Sequence, residues 1–166
     1  SGVGAKHQNG AAERSIQTTV YSARAMLIHA NTHWPDQVEP DLWPFALTYA
    51  AWLHNHTPTA NTHLAPIELF AETRVNCEYL RRVKVFGCPV YVLDPRLQDG
   101  KKLPKWEARA RLGQFLGFSP KHSTTTGLIR NLKTGYISVQ YHVVYDQMFT
   151  TVASTRRCDL SETWID

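Results

Sequence analysis

The stretch His7-Gln8-Asn9-Gly10-Ala11-Ala12-Glu13-Arg14 holds the residues best spaced to do chemistry. Asn-Gly favours a turn, because both residues tolerate left-handed backbone. Glu13 then falls in the first turn of the helix that follows, where its main chain cannot drift. Metal-dependent phosphoryl transfer uses such rigid carboxylates. They hold two Mg²⁺ about 3.5–4 Å apart, one activating a water or 3′-hydroxyl and the other steadying the leaving oxygen. Mg²⁺ takes one or two carboxylates and fills its other positions with water and phosphate. A plainer account is also open: acids gain about 0.3–1 kcal/mol at helix N-termini from the macrodipole.

The remaining chemistry-bearing residues form no comparable pattern. His29 and His33 lie one helical turn apart, and His54 and His56 flank Asn55. A zinc site needs three or four converging ligands. No second pair follows either candidate, so capping and surface roles are expected. The cysteines Cys77, Cys88 and Cys158 are odd in number and contain no CxxC pair, which fits a reducing compartment better than a disulfide framework. Cys88, inside an apolar run, reads as core filling. No local motif supports a Ser–His or Cys–His nucleophile.

The elements that must position these residues divide the chain in two. From Gly10 to about Asn31, Ile16, Val20, Ala23 and Leu27 follow the spacing of one helix face. Glu13, Gln17 and Arg24 fall on its flank. A second helix is expected from Asp41, a good N-cap, with Pro44 in its first turn and Leu42, Phe45, Ala46, Tyr49, Ala50 and Leu53 inward. Trp43 and Trp52 lie off that face, so this helix reads as apolar nearly all round and buried. Thr57-Pro58 ends it. A short third helix spans roughly Ala65 to Glu72. The second half reads as strands at Val83 to Leu93, Leu112 to Phe118, Gly127 to Leu132 and Tyr136 to Tyr145, with a hairpin turn at Lys133-Thr134-Gly135. So many short strands in about sixty residues suggest a small antiparallel barrel or half-barrel. The expected division is residues 1–78, helical; 79–150, the basic barrel; and 151–166, a tail or linker.

Charge follows the same division. Net charge is +4, but residues 1–78 sum to −3 and residues 79–166 to +7; within 81–133, twelve basic residues face three acidic ones. Such asymmetry points to a polyanion touching one half, against the alternative of an ordinary solvated basic surface. Candidates for phosphate contact in the basic half are Arg81, Arg82, Lys84, Lys101, Lys102, Lys105, Arg109 and Arg111. With 43% hydrophobic residues the chain should fold, and no apolar run reaches the ~18 residues of a membrane span.

Six landmarks resemble one family. Gln8 to Arg14, with Arg24-Ala25-Met26-Leu27, resembles the last acidic motif and following helix of copia-type LTR retrotransposon integrases. Trp43 with Ala46, Asn55 and Pro58 resembles that family's next helix and its exit, and Ala65-Pro66-Ile67-Glu68-Leu69 the segment after it. Val85-Phe86-Gly87-Cys88-Pro89-Val90-Tyr91-Val92 resembles the opening of its Src-homology-3-like C-terminal domain. Phe115-Leu116-Gly117-Phe118-Ser119 and His142-Val143-Val144-Tyr145-Asp146 resemble that domain's middle and close. Two departures stand out. The family's aromatic after the glycine is Leu128 here, and the turns after Glu13 offer Gln17 and Val20 where basic residues approach DNA, leaving only Arg24.

The resemblance implies an α+β chain: the helical end of a ribonuclease-H-like integrase core, then the small antiparallel β-barrel. It implies metal-dependent 3′-end processing and strand transfer in DNA integration. Glu13 would be the third catalytic, metal-binding carboxylate, with the other two acids upstream. Asn9 and Gly10 would shape its turn. The complete enzyme would use Mg²⁺ or Mn²⁺; this chain alone would bind none and be catalytically silent. Expected partners are DNA, both element ends and target, and other integrase protomers in a homo-oligomer, with no membrane. The expected location is the nucleus, after particle assembly in the cytoplasm. The alternative is a non-catalytic nucleic-acid-binding or assembly module derived from a retroelement, in which Glu13 is only a helix-start acid.

Overall fold

The computed structural model describes residues 10–35, 37–74, 77–122 and 126–152, main chain only at 77–79. Asn9, the side chain of Cys77, Cys158 and most of the expected tail (153–166) lie outside the described residues. Helix α1 spans Gly10–His33. A 3-10 turn at Pro40–Leu42 leads into α2, Trp43–His56. Asp41 sits inside that turn and caps nothing: the capping position falls to Glu39, which makes no side-chain cap. Proline at residue 40 explains the shift, because it suits the first helical position and starts the turn one residue early. Thr57 is extended ahead of Pro58, as a residue before proline prefers, and α2 stops there. Helix α3, Pro66–Ala71, closes with Glu72 in the left-handed region at φ 51°. At its start the buried Glu68 carboxylate accepts a 2.8 Å hydrogen bond from the Ala65 N–H.

A second 3-10 turn at Cys77–Arg82 precedes the strands. These are β1 Pro89–Leu93, β2 Ala110–Phe118, β3 Gly127–Asn131, β4 Ile137–Gln140 and β5 Val143–Tyr145, with the one-turn helix α4, Pro95–Gln98, between β1 and β2. They form one antiparallel sheet in the order β4-β3-β2-β1-β5. The β3–β4 hairpin turns where expected, with Gly135 at φ 73° and the Asn131 carbonyl accepting from its N–H at 2.8 Å. Val83 to Val85, expected as strand, lie before β1 outside any ladder.

Of the two forms expected, barrel or half-barrel, the closed barrel does not form. β4 and β5 are consecutive pieces of one run, kinked at Tyr141-His142, and they point the same way. They therefore cannot pair with each other, and no ladder joins the two edges. The sheet is still far from flat. Four strand spacings of about 4.8 Å would set its edges ~19 Å apart, yet Gln140 to Val143 is three Cα steps, at most ~11 Å. The sheet rolls so that one run pairs with β3 at its start and with β1 at its end.

One core unites helices and sheet. Ala23, Trp34, Leu42, Ala46, Tyr49 and Ala50 pack with Phe86, Cys88, Val90, Val92, Phe115, Leu116, Ile129 and Phe149. Gly87, at φ +76°, lets the turn before β1 press on α1: a Cβ there would lie 2.5 Å from the Ala30 Cβ. Gly117, at φ +116°, does the same for β2 beneath the Tyr49 ring.

The first half of α1 departs from expectation. Ala23 is buried and Leu27 partly so, but Ile16 and Val20 of the same stripe are exposed, as is Tyr21. Trp43, expected inside, is 57% exposed at the first position of α2.

Candidate functional site

Two separate regions carry the candidate residues. The first is the free end of α1. Glu13 is exposed in its first turn and makes no ion pair or hydrogen bond among the described residues. Neighbouring side chains are tied to the helix itself: Arg14 Nε donates to the Gly10 carbonyl at 3.2 Å, and Gln17 Nε2 donates to the Tyr21 hydroxyl at 2.9 Å. Arg24, also exposed, lies three turns further along. No group of three or more His, Cys, Asp or Glu among the described residues could hold a metal ion. Among the described residues, no further carboxylate, His or Cys joins Glu13 in a set that would make a Mg²⁺ site.

The second is a set of cations on the elements around β1 and β2. Arg81 and Arg82 end the second 3-10 turn, exposed. Lys84 is half-buried, its Nζ 5.3 Å from the centre of the Tyr145 ring. Its main chain is gripped by Tyr49, whose hydroxyl donates to the Lys84 carbonyl at 2.6 Å and accepts from its N–H at 3.2 Å. Lys101, Lys102, Lys105 and Arg109 are exposed on the segment between α4 and β2, and Arg111 is partly covered on β2. None of these eight forms an ion pair among the described residues.

Two other cations of the basic stretch are spent internally. Arg96 clasps both Asp94 and Glu107; its hydrogen bonds to Asp94 hold that carboxyl below the usual range. Arg130, nearly buried on β3, pairs with Glu39 and donates to the Gln37 carbonyl, tying the α1–α2 connection to the sheet. Sequence charge counting cannot separate these structural cations from the free ones. It also passed over Trp106, which is 90% exposed in the middle of the basic segment. An aromatic inside Lys-Lys-Leu-Pro-Lys-Trp-Glu-Ala-Arg was a usable signal.

The histidines among the described residues do not form a ligand set. The His29 and His33 rings lie 4.4 Å apart and pack against Phe149, and His56 Nδ1 shares a 2.7 Å hydrogen bond with the Trp52 carbonyl while its ring stacks on that indole. Cys88 is fully buried; burial pushes its thiol up to about 12, which makes it inert. A cavity of about 330 Å³ opens between α2 and β2, lined by Phe45, Tyr49, Trp52, Phe118 and His122 among others.

Comparison with known proteins adds an origin to this geometry. The chain is 30% identical over 141 residues to the retrovirus-related Pol polyprotein from transposon RE1 of Arabidopsis thaliana. It is 29% identical over 140 residues to that from transposon RE2 of the same plant. A retroelement Pol origin is what this similarity supports. Each match covers 84% of the chain but only 8% and 9% of the respective polyproteins. No family model matches the chain, and no solved structure does. No helix among the described residues is long and apolar enough to cross a membrane.

Proposed function

We propose that this chain is the closing part of a retroelement integrase. It would carry the last helix of a ribonuclease-H-like core, with Glu13 as one metal-binding carboxylate, and a basic sheet module that holds DNA. The single observation that carries this reading is the similarity to transposon Pol polyproteins over 84% of the chain. The free end of α1 supports it: an unencumbered Glu13 beside the exposed Ile16, Val20 and Tyr21 suits a helix that completes a larger structure.

The chemistry is divided accordingly. Mg²⁺ or Mn²⁺ would supply Lewis acidity and an activated oxygen in the complete enzyme, and no step of that reaction belongs to this chain alone. What its own residues do is position and bind. Helix α1 fixes the Glu13 backbone, and Arg81, Arg82, Lys84, Lys101, Lys102, Lys105, Arg109 and Arg111 meet phosphates, with Arg24 on the helix side. Other protomers and a nuclear site of action belong to the same proposal.

DNA contact is tested by a salt titration of duplex binding. Each neutralised phosphate contributes a slope of about −0.9 in log K against log salt. Replacing Lys101, Lys102 and Lys105 with Gln together should flatten that slope by two to three contacts' worth; a wild-type chain with no slope would reject DNA contact. The Glu13 assignment is tested in a longer Pol segment that carries the upstream acids. There Glu13→Gln should abolish strand transfer with DNA binding retained, and undiminished strand transfer would reject it.

A further inference from the structure

We infer that Trp106 is a stacking platform for an unpaired base, so that the basic segment between α4 and β2 prefers single-stranded or frayed nucleic acid over closed duplex. The inference rests on the DNA-contact reading above and refines it. The Glu107 N–H donates to the Pro104 carbonyl at 3.1 Å, closing a turn whose two corner residues are Lys105 and Trp106. At that tip the indole is 90% exposed. Lys105 Nζ lies 5.5 Å from the indole ring centre, so a cation sits over one side of the ring and the rest stays open to solvent.

The turn is held from below. The Asp94 N–H donates to the Arg109 carbonyl at 2.9 Å, and Arg96 bridges Asp94 to Glu107. That bridge engages two of the three acids in residues 94–111, while Lys101, Lys102, Lys105 and Arg109 stay free of ion pairs among the described residues. The tip thus combines phosphate-binding cations with an aromatic plane, the pairing that non-specific single-strand binders use. Inside a closed duplex both faces of each base are covered by its neighbours, the outer faces of the two end pairs excepted. A ring at a turn tip can reach only a base that is unstacked.

The test is fluorescence anisotropy of the full chain with a 20-mer oligothymidylate and with a blunt mixed-sequence duplex, at several salt concentrations. Trp106→Ala should weaken oligothymidylate binding about tenfold, roughly the loss of one stacked base. It should leave duplex affinity within twofold and both salt slopes unchanged. Trp106→Phe should keep most of the single-strand affinity. Trp43→Ala, an exposed tryptophan on α2, should change neither. If W106A weakens both ligands equally, or neither, the stacking role is wrong while DNA contact stands. If the wild-type chain binds neither with a salt slope, DNA contact itself fails and this inference with it. A wild-type dimer that W106A converts to monomer in light scattering would make Trp106 a protein contact and overturn the proposal.

Discussion

At the scale of single residues, the free side chains and the committed ones carry different meanings. Glu13 and the eight candidate cations form no ion pair among the described residues, whereas Arg96 and Arg130 are bound into the fold. His29 is of the committed kind. Partial burial and the neighbouring His33 both lower its pKa from the ordinary 6.5. A histidine with a lowered folded value binds its proton more readily when the chain is unfolded. Stability should therefore be greatest above about pH 6.5 and fall as pH drops from there toward the folded value. Thermal unfolding between pH 5 and 8 checks this: His29→Gln should flatten the acid-side decline, and an unchanged profile would show that the His29–His33–Phe149 contact does not report on stability.

At the scale of elements, α1 is two helices in one. Its second half is packed through Ala23, Leu27 and Ala30, and Gly87 lies directly against Ala30. Its first half exposes Ile16 at 65% and Tyr21 at 59%. Substitutions at the two ends should separate accordingly. Ile16→Ser should change unfolding free energy by less than ~0.5 kcal/mol, the range of surface changes. Gly87→Ala should cost about 1–3 kcal/mol, because its methyl overlaps Ala30 and its φ is unfavourable for any L side chain. Urea denaturation measures both. Equal effects would mean that the free end of α1 is packed in solution, as it would be in a dimer.

At the scale of the whole molecule, the helices and the rolled sheet share a core, with Tyr49 at its centre. The Tyr49 ring meets Phe86, Phe115 and Phe118, and its hydroxyl grips the Lys84 main chain at the entry to the sheet. Across the sheet, the Arg130–Glu39 pair fastens the α1–α2 connection to β3. Neither half keeps its apolar face covered without the other, so unfolding should be a single cooperative event. Helical circular dichroism and tryptophan emission should give superimposable urea curves; two separated midpoints would show that the helices and the sheet fold independently.

The sequence by itself determined what repeats along the chain. The 3.6-residue periodicity of α1 and α2, the proline that stops α2, the β-branched and aromatic runs of β1 to β5 and the Lys-Thr-Gly turn are all local, and each depends on a few neighbouring side chains. The charge asymmetry and the run from Gln8 to Arg14 were equally legible, since they need no partner to be recognised. Other features were decided only by the tertiary structure. Periodicity marks an apolar stripe but cannot say how much of it finds a neighbour, so Ile16 and Val20 looked the same as Ala23. Strand content suggested a barrel, but closure depends on which edges can pair, and two consecutive pieces running the same way cannot. Charge counts as a sum along the chain, and only packing separates Arg130, clamped to Glu39, from the lysines left facing solvent around Trp106.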